Sequence, residues 1–253
     1  MNRTAVHQAG VFVLFLLAWT AMVEISGVSS STLPPVTDVA MALVSRWADA
    51  AFFPAVLLTV RDAFTGLMIA TVLGIAAGIV VGTTPWLERS TRLIVDFGRS
   101  FPQIALLPIF LMVFGVSSSM KIVLVTIACF FPVMLQTVYG ARHLDSTMAD
   151  TVRAYRLPLW LRIRKVTIPA ASPFIFTGFR IALIVSILVS IGVEILSQVE
   201  GMGRQLADAR DYYRTDIAFA YAIYAGLLGT IVNFAADKLE ASLLGWHLRA
   251  SKE

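Results

Sequence analysis

The chain is 253 residues long, of which 58% are hydrophobic and only 14% are charged. A soluble domain carries about 25% charged residues, so this composition excludes a soluble globular protein and indicates an integral membrane protein. The net charge of +4 does not point to nucleic acid, because the basic residues are concentrated on particular loops, as membrane topology requires. The single cysteine, Cys129, excludes an intrachain disulfide and a metal site built from cysteines.

Six hydrophobic segments are long enough to cross a membrane, since a bilayer core of about 30 Å needs roughly 20 apolar residues. Lipid-facing backbone must satisfy its own hydrogen bonds, so the predicted fold class is all-α, a polytopic membrane protein with six transmembrane helices. The third segment is short and is broken by Pro102 and Pro108. The first follows a short basic N-terminus but lacks a signal-peptide cleavage site, which favours a retained span. The segments are 9–28, 55–82, 100–115, 119–138, 172–197 and 217–243.

The distribution of Lys and Arg predicts the orientation. With the N-terminus inside, the cytoplasmic pieces carry thirteen of these residues and the external pieces carry five, namely Arg46, Lys121, Arg204, Arg210 and Arg214. The positive-inside rule then places both termini in the cytoplasm. The predicted organisation is an N-terminal helix with an external connector (1–53), a five-helix core (54–244) with a cytoplasmic loop at 139–171, and a cytoplasmic tail (245–253).

No motif in the sequence indicates an enzyme. The phosphate-binding pattern G-x-x-x-x-G-K-[ST] is absent. His7, His143 and His247 all lie in predicted cytoplasmic pieces, which excludes a Ser-His pair inside the bilayer. No cluster of His, Asp and Glu indicates a metal site. We therefore expect a protein that catalyses no reaction alone and binds no cofactor itself.

Charged residues near or within spans are costly and are candidates for function. Glu194 is the deepest of them, and two interpretations remain open. Together with Arg61 and the glycines Gly201 and Gly203, it forms an external gate or lines the pathway. Alternatively, it is a helix-end carboxylate that is hydrogen-bonded to a neighbouring span or to the Gly201–Gly203 turn. Arg61 and Asp62 are also consistent with a simple ion pair that faces external water.

Small residues recur every four positions along the second span. They are Gly66, Ala70, Gly74, Gly78 and Gly82. A stripe of this kind allows another helix to approach closely. The partner helix belongs either to the same chain or to a second copy, and the pattern does not distinguish these possibilities.

Residues 148–173 form a basic segment between two long hydrophobic runs. We predict one short helix from Met148 to Arg156 and a second that begins near Pro158, where a missing N–H costs nothing, and ends at Pro169. These helices are equally consistent with an amphipathic element lying on an anionic membrane leaflet and with a knob that inserts into a groove on another protein.

This segment resembles the cytoplasmic EAA loop of permeases from bacterial ABC importers. Asp150 stands at the Glu position, Val152 at an Ala position, Arg156 at the Gly position, and Ile168–Pro169 at the Leu-Pro position. Other segments are similar, in the same order along the chain, to elements of the permeases for taurine, alkanesulfonate and nitrate. They are Leu33–Val39, Thr59–Gly66, Leu73–Gly78, Arg99–Pro108, Thr177–Ala182, Glu194 and Gly201–Gly203.

The resemblance implies a MetI-like, type I permease subunit in the inner membrane of a prokaryote. In that family two permease copies form the path for a small solute, here a polar or anionic one, which a periplasmic or lipid-anchored binding protein delivers. Two ATPase subunits bind ATP and Mg and contact the permease loops. The contact residues would be Asp150, Arg153, Tyr155, Arg156, Leu157, Pro158 and Trp160. Arg156 and Val152 depart from the family pattern, and a glycine at position 156 would adopt a left-handed bend more readily.

Two alternatives to an ABC permease remain. A secondary transporter or channel would usually show inverted repeats and buried ionisable residues that couple ions to transport, and beyond Glu194 the sequence shows neither. A membrane scaffold without a transport role is the second alternative. An ATP-hydrolysing partner would distinguish the ABC permease from both.

Overall fold

The computed structural model describes residues 3–27, 29–143 and 146–243. The predicted tail and residues 1, 2, 28, 144, 145 and 244 lie outside this part. The described chain is helical and contains no strand, so the predicted all-α fold is confirmed. Its helices are α1 (Arg3–Ser26), α2 (Val36–Arg46), α3 (Phe52–Thr83), α4 (Pro85–Ser100), α5 (Leu107–Phe114), α6 (Ser118–Arg142), α7 (Ser146–Ala154), α8 (Leu159–Arg162), α9 (Ile168–Ser197), α10 (Met202–Asp211) and α11 (Thr215–Leu243).

Within the described part of the chain, five stretches of helix are long and apolar enough to cross a membrane, and the bent pair α4–α5 makes a sixth if it counts as one span. The single span predicted at 100–115 is wrong in detail. Helix α4 extends back to Pro85, and an 86° bend with a short 3₁₀ turn at Gln103–Leu106 separates it from α5. Phe101 is extended because it precedes Pro102. Pro108 does not break a helix, since it lies in the first turn of α5.

The centre of the bundle is a seam between α3 and α6. A Cβ added at Gly66 would lie 2.7 Å from Val125, and one added at Gly78 would lie 2.5 Å from Thr137, so the two backbones touch. Each partner lies 59 positions further along the chain (66 to 125, 78 to 137), which means that the helices run parallel. Gly74 and Gly82 make the same close contacts with Val133 and Ala141. The glycine stripe therefore packs within the chain.

The parallel seam determines what the intervening segment does. Since α3 and α6 point the same way, residues 84–117 must carry the chain back from the end of α3 to the start of α6. The α4–α5 pair is the helical part of that segment. This geometry supports six crossings. We call the end with residues 84–101 and 143–167 the predicted cytoplasmic end, and the opposite end the predicted periplasmic end.

Helices α2 and α10, which we did not predict, cover the predicted periplasmic end. They pack with α11 and the start of α3 through a cluster that includes Ala42, Phe52, Met202, Ile217 and Tyr221. The N-terminal helix α1 is peripheral. None of the residues in its span is buried, and it meets the bundle where the ring of Trp19 lies 5.5 Å from that of Phe219.

The predicted loop 139–171 is mostly helical. Helix α6 continues to Arg142, α7 matches the first predicted helix, and the second begins at Leu159, directly after Pro158. The predicted stop at Pro169 is wrong, because helix runs without interruption from Leu159 to Ser197. A π-helical turn at Ile163–Thr167 precedes Pro169. The missing N–H of the proline therefore falls where the hydrogen-bond pattern changes, and the helix tolerates it.

Candidate functional site

A buried lysine lies at the centre of an ion cluster at the predicted periplasmic end. Lys121 is in the first turn of α6, which is capped where the Ser117 hydroxyl accepts a hydrogen bond from the Met120 N–H. Its burial was not predicted from the sequence, and the side chain is 0% exposed. A buried ammonium is costly unless acceptors surround it, so its partners are essential to the fold.

Three acceptors from three segments surround the ammonium. Lys121 Nζ lies 2.7 Å from Glu194 Oε1 on α9 and 2.9 Å from Asp62 Oδ2 on α3. It also donates a hydrogen bond to the Glu200 carbonyl oxygen at 3.1 Å. Both carboxylates are 0% exposed, like the lysine. The three donors of the ammonium thus link α3, α6, α9 and the segment that leads to α10.

Glu194 is held by further contacts. Its Oε2 accepts hydrogen bonds from the Thr59 hydroxyl at 3.0 Å and from the Gly203 N–H at 2.9 Å. Gly201 presses against the carboxylate, since a Cβ there would lie 2.2 Å from Glu194 Cδ. The structure therefore shows the arrangement in which Glu194 is bonded to a neighbouring span and to the Gly201–Gly203 turn. A role for these residues as a gate stays a prediction.

Arg61 and Asp62 have different environments. The Arg61 side chain is 56% exposed and donates to Asp62 Oδ1 at 2.8 Å. Asp62 itself is buried against Lys121, so the interpretation of the pair as facing external water is wrong for the aspartate. Asp62 lies four positions before Gly66, and Lys121 lies four before Val125. Both continue the seam, and this spacing is the sequence signal that could have identified them.

A second ion cluster joins α9 to α11 nearer the predicted cytoplasmic end. The Arg180 guanidinium lies 2.7 Å from Asp237 and 3.4 Å from Glu240, and it donates to the Asn233 side-chain oxygen at 3.3 Å. A cation at this position would by itself suit snorkelling to the headgroups. Here it fixes α11 against α9 instead.

The predicted ATPase-contact residues form an exposed elbow between α7 and α8. Arg156 has a left-handed backbone with φ 45°, which makes the bend that a glycine would make more easily. Tyr155 is 76% exposed and Trp160 is 68% exposed, whereas Leu157 is half-buried. Asp150 and Pro158 are also on the surface, and the side chain of Arg153 lies outside the described part. The elbow thus presents large apolar side chains that no described residue covers.

The described residues do not meet the requirements of a metal site. Among the described residues no group of three or more His, Cys, Asp or Glu side chains could hold a metal ion. The buried ion cluster and the exposed elbow are two candidate functional features of the fold.

The chain is similar to known permeases in sequence and in structure. It is 25% identical to the taurine transport system permease protein TauC of Escherichia coli, over 98% of this chain and 92% of that protein. It is 33% identical to the bicarbonate transport system permease protein CmpB of Synechococcus elongatus, over 73% of this chain and 65% of that protein. Its fold matches a chain of the MetNI methionine ABC transporter in an inward-facing conformation, with a TM-score of 0.68 and 19% identity over 76% of this chain and 95% of that one. Residues 70–245 match the family described as the inner membrane component of binding-protein-dependent transport systems, and the chain belongs to that family.

Proposed function

We propose that this chain is the permease subunit of an ATP-driven importer and that its α7–α8 elbow docks a separate ATPase subunit. The observation that carries the proposal is the elbow itself, with Tyr155 and Trp160 exposed around a left-handed bend at Arg156. A non-glycine residue in this conformation costs about 1–2 kcal/mol. Strain of this kind is often found where a segment contacts a ligand or partner.

The elbow is built to transmit force to the membrane helices. Helix continues from Leu159 through the π turn into α9, and α9 carries Glu194 at its far end. A partner that moves the elbow therefore moves a helix that crosses the bundle. The alternative, an elbow that only lies on the membrane, provides no such role for the bend.

The expected partners follow from the family and from the relatives. Two copies of the chain would line one path, two ATPase subunits would bind ATP and Mg, and a binding protein would deliver the solute. The taurine and bicarbonate permeases are named for small, oxygen-rich polar solutes. We infer a substrate of the same class, a small anionic or zwitterionic solute such as a sulfonate, taurine or nitrate.

For Glu194, Arg61, Gly201 and Gly203 we propose a brace that keeps the predicted periplasmic end closed. The support is that Glu194 is fully buried and is bonded to Thr59, Lys121 and Gly203. A carboxylate that bound the solute in this conformation would instead be open to a cavity. Glu194→Gln should change the basal ATPase rate of the assembled importer while assembly remains intact, and an unchanged rate would leave it a packing role only.

The test of docking replaces Leu157 and Trp160 together with Asp. Burial of a Trp-sized apolar side chain at an interface is worth about 2 kcal/mol or more, so we expect the ATPase to copurify at least roughly tenfold less. A control is Tyr212→Asp with Tyr213→Asp, an exposed aromatic pair at the opposite end. Retention of the ATPase and of coupled transport by the Leu157/Trp160 variant would contradict the proposal. Solute uptake without any ATPase would favour a secondary transporter.

A further inference from the structure

Helix α4 has three distinct faces. Leu87, Val95 and Gly98 pack towards the bundle, and a Cβ at Gly98 would lie 2.1 Å from the Phe131 ring. A second face is apolar and exposed, with Trp86, Leu93, Ile94 and Phe97 between 67% and 80% exposed. The third face is charged and carries Glu88, Arg89, Arg92, Asp96 and Arg99. A helix with five charged residues among sixteen does not cross a bilayer by itself.

The depth of α4 follows from its connection to α3. A single residue, Thr84, separates the end of α3 from the start of α4. The seam on α3 from Asp62 to Gly82 is about 30 Å long at 1.5 Å per residue, which matches the apolar thickness of a bilayer. Helix α4 therefore begins where the apolar layer ends. An exposed apolar face beside a row of arginines at this depth is typical of an interfacial helix.

The charged face of α4 borders a cavity of about 560 Å³. The opposite wall is the end of α6, with Tyr139 and Arg142, and the floor is apolar, with Val81 and Val138. Four arginines and two carboxylates line the cavity, which leaves an excess of two positive charges. The cavity thus combines a cationic rim with an apolar wall.

The ion pairs in the cavity leave part of this charge without a partner. Glu88 is 2.6 Å from Arg142. Asp96 lies 3.0 Å from Arg99, but it is 3.9 Å from Arg92, a long distance for an ion pair. Within the described residues no carboxylate lies within ion-pair distance of Arg89. Arg89 is therefore available to an anionic ligand, and Arg92 makes only a long contact with an Asp96 that Arg99 already pairs.

We propose that this cavity binds the phosphate of an acidic glycerophospholipid, such as phosphatidylglycerol. Arg89 and Arg92 would contact the phosphate, and the acyl chains would lie along the apolar wall of α6 and the exposed face of α4. Both parts of the ligand have a counterpart on the protein, the charged headgroup in the arginines and the acyl chains in the exposed apolar face. A soluble anion would use only the first. The inference does not depend on the proposed transport function.

The first experiment incubates the purified chain with equal amounts of phosphatidylglycerol and phosphatidylcholine. Native mass spectrometry then measures how much of each lipid stays bound. We expect preferential retention of phosphatidylglycerol. Each basic residue near an anionic lipid surface strengthens binding about fivefold. The triple variant Arg89→Gln, Arg92→Gln, Arg99→Gln should therefore reduce the preference for phosphatidylglycerol by at least about tenfold. The same arginines replaced by Lys should keep it.

The matched control removes equal charge at the opposite end, as Arg204→Gln, Arg210→Gln, Arg214→Gln, and should leave the preference unchanged. The lipid is located by the fluorescence of Trp86, taken as the difference between the wild type and Trp86→Phe. Brominated phosphatidylglycerol should quench it more than brominated phosphatidylcholine.

Four results would overturn the proposal, three of them from the lipid measurements. These three are equal retention of the two lipids by the wild type, an equal loss in the control, and displacement of phosphatidylglycerol by millimolar inorganic phosphate, which would indicate a soluble-anion site. Disulfide formation between two copies of Arg92→Cys would also overturn it, because the cavity would then lie between subunits.

Discussion

Removal of the Lys121 ammonium tests the ion cluster most directly. In Lys121→Met the apolar stem is kept, but Asp62 and Glu194 lose the cation that lies 2.9 and 2.7 Å away. Loss of one partner of a buried ion pair costs about 3–5 kcal/mol. Arg61 still pairs with Asp62, and Glu194 keeps its hydrogen bonds to Thr59 and Gly203. The lower part of that range is therefore expected.

The assay is thermal unfolding of the purified chain in detergent. At about 2–4 °C per kcal/mol for a chain of this size, Lys121→Met should lower Tm by roughly 6–12 °C. The double variant Lys121→Met with Glu194→Gln removes one of the stranded charges and should recover part of the loss. Arg204→Met removes a cation that is partly exposed and should cost less than about 1 kcal/mol. Equal Tm losses in Lys121→Met and Arg204→Met would refute the reasoning.

Three further predictions concern the bend, the seam and the topology. Arg156→Gly should raise Tm by about 2 °C, because a side chain in the left-handed conformation costs about 1–2 kcal/mol and the freedom of glycine in the unfolded chain offsets part of the gain. Arg156→Ala should not raise Tm. A rise in Tm for alanine equal to that for glycine would contradict the explanation. Gly78→Val should lower the free energy of unfolding by about 1–3 kcal/mol, because an added Cβ would lie 2.5 Å from Thr137. Gly226→Val should lower it little in the same assay, because a Cβ at that position would have no neighbouring atom within 4 Å. In intact cells an impermeant maleimide should label Asp208→Cys but not Arg92→Cys; the reverse pattern would invert the topology.

The sequence was sufficient for the features that depend on periodicity and composition. Long apolar runs predicted the spans, and the small residues spaced by four predicted a close helix contact. It did not predict which helix would be the partner, because a stripe of small residues does not specify the helix that packs against it. The one sequence signal for the partner is the constant spacing that relates Asp62 to Lys121 and Gly66 to Val125. That spacing indicates contact only if the two helices are already known to be parallel.

The errors have physical reasons. The burial of Lys121 was not predicted, because it depends on carboxylates that are far away in sequence. The break at Pro102 was predicted, but helix α4 was missed because it carries too many charges to be recognised as part of a span. The helix at Pro169 was ended too early because a proline usually stops a helix, and the π turn that accommodates it leaves no clear sequence signal.

The order of the charges along the chain also bears on how the protein is made. Asp62 is synthesised first, Lys121 second and Glu194 last, so the helix with the lysine enters the membrane when only one of its two carboxylates exists. A lysine at the membrane centre costs about 2.5–3.5 kcal/mol in insertion measurements, and one near the edge of the apolar layer, like Lys121, costs less. Pairing with Asp62 along the glycine seam would reduce that cost before α9 is translated. A nascent chain that ends before Glu194 should thus already hold α3 and α6 together, and the arrival of α9 would close the cluster as a final step of assembly.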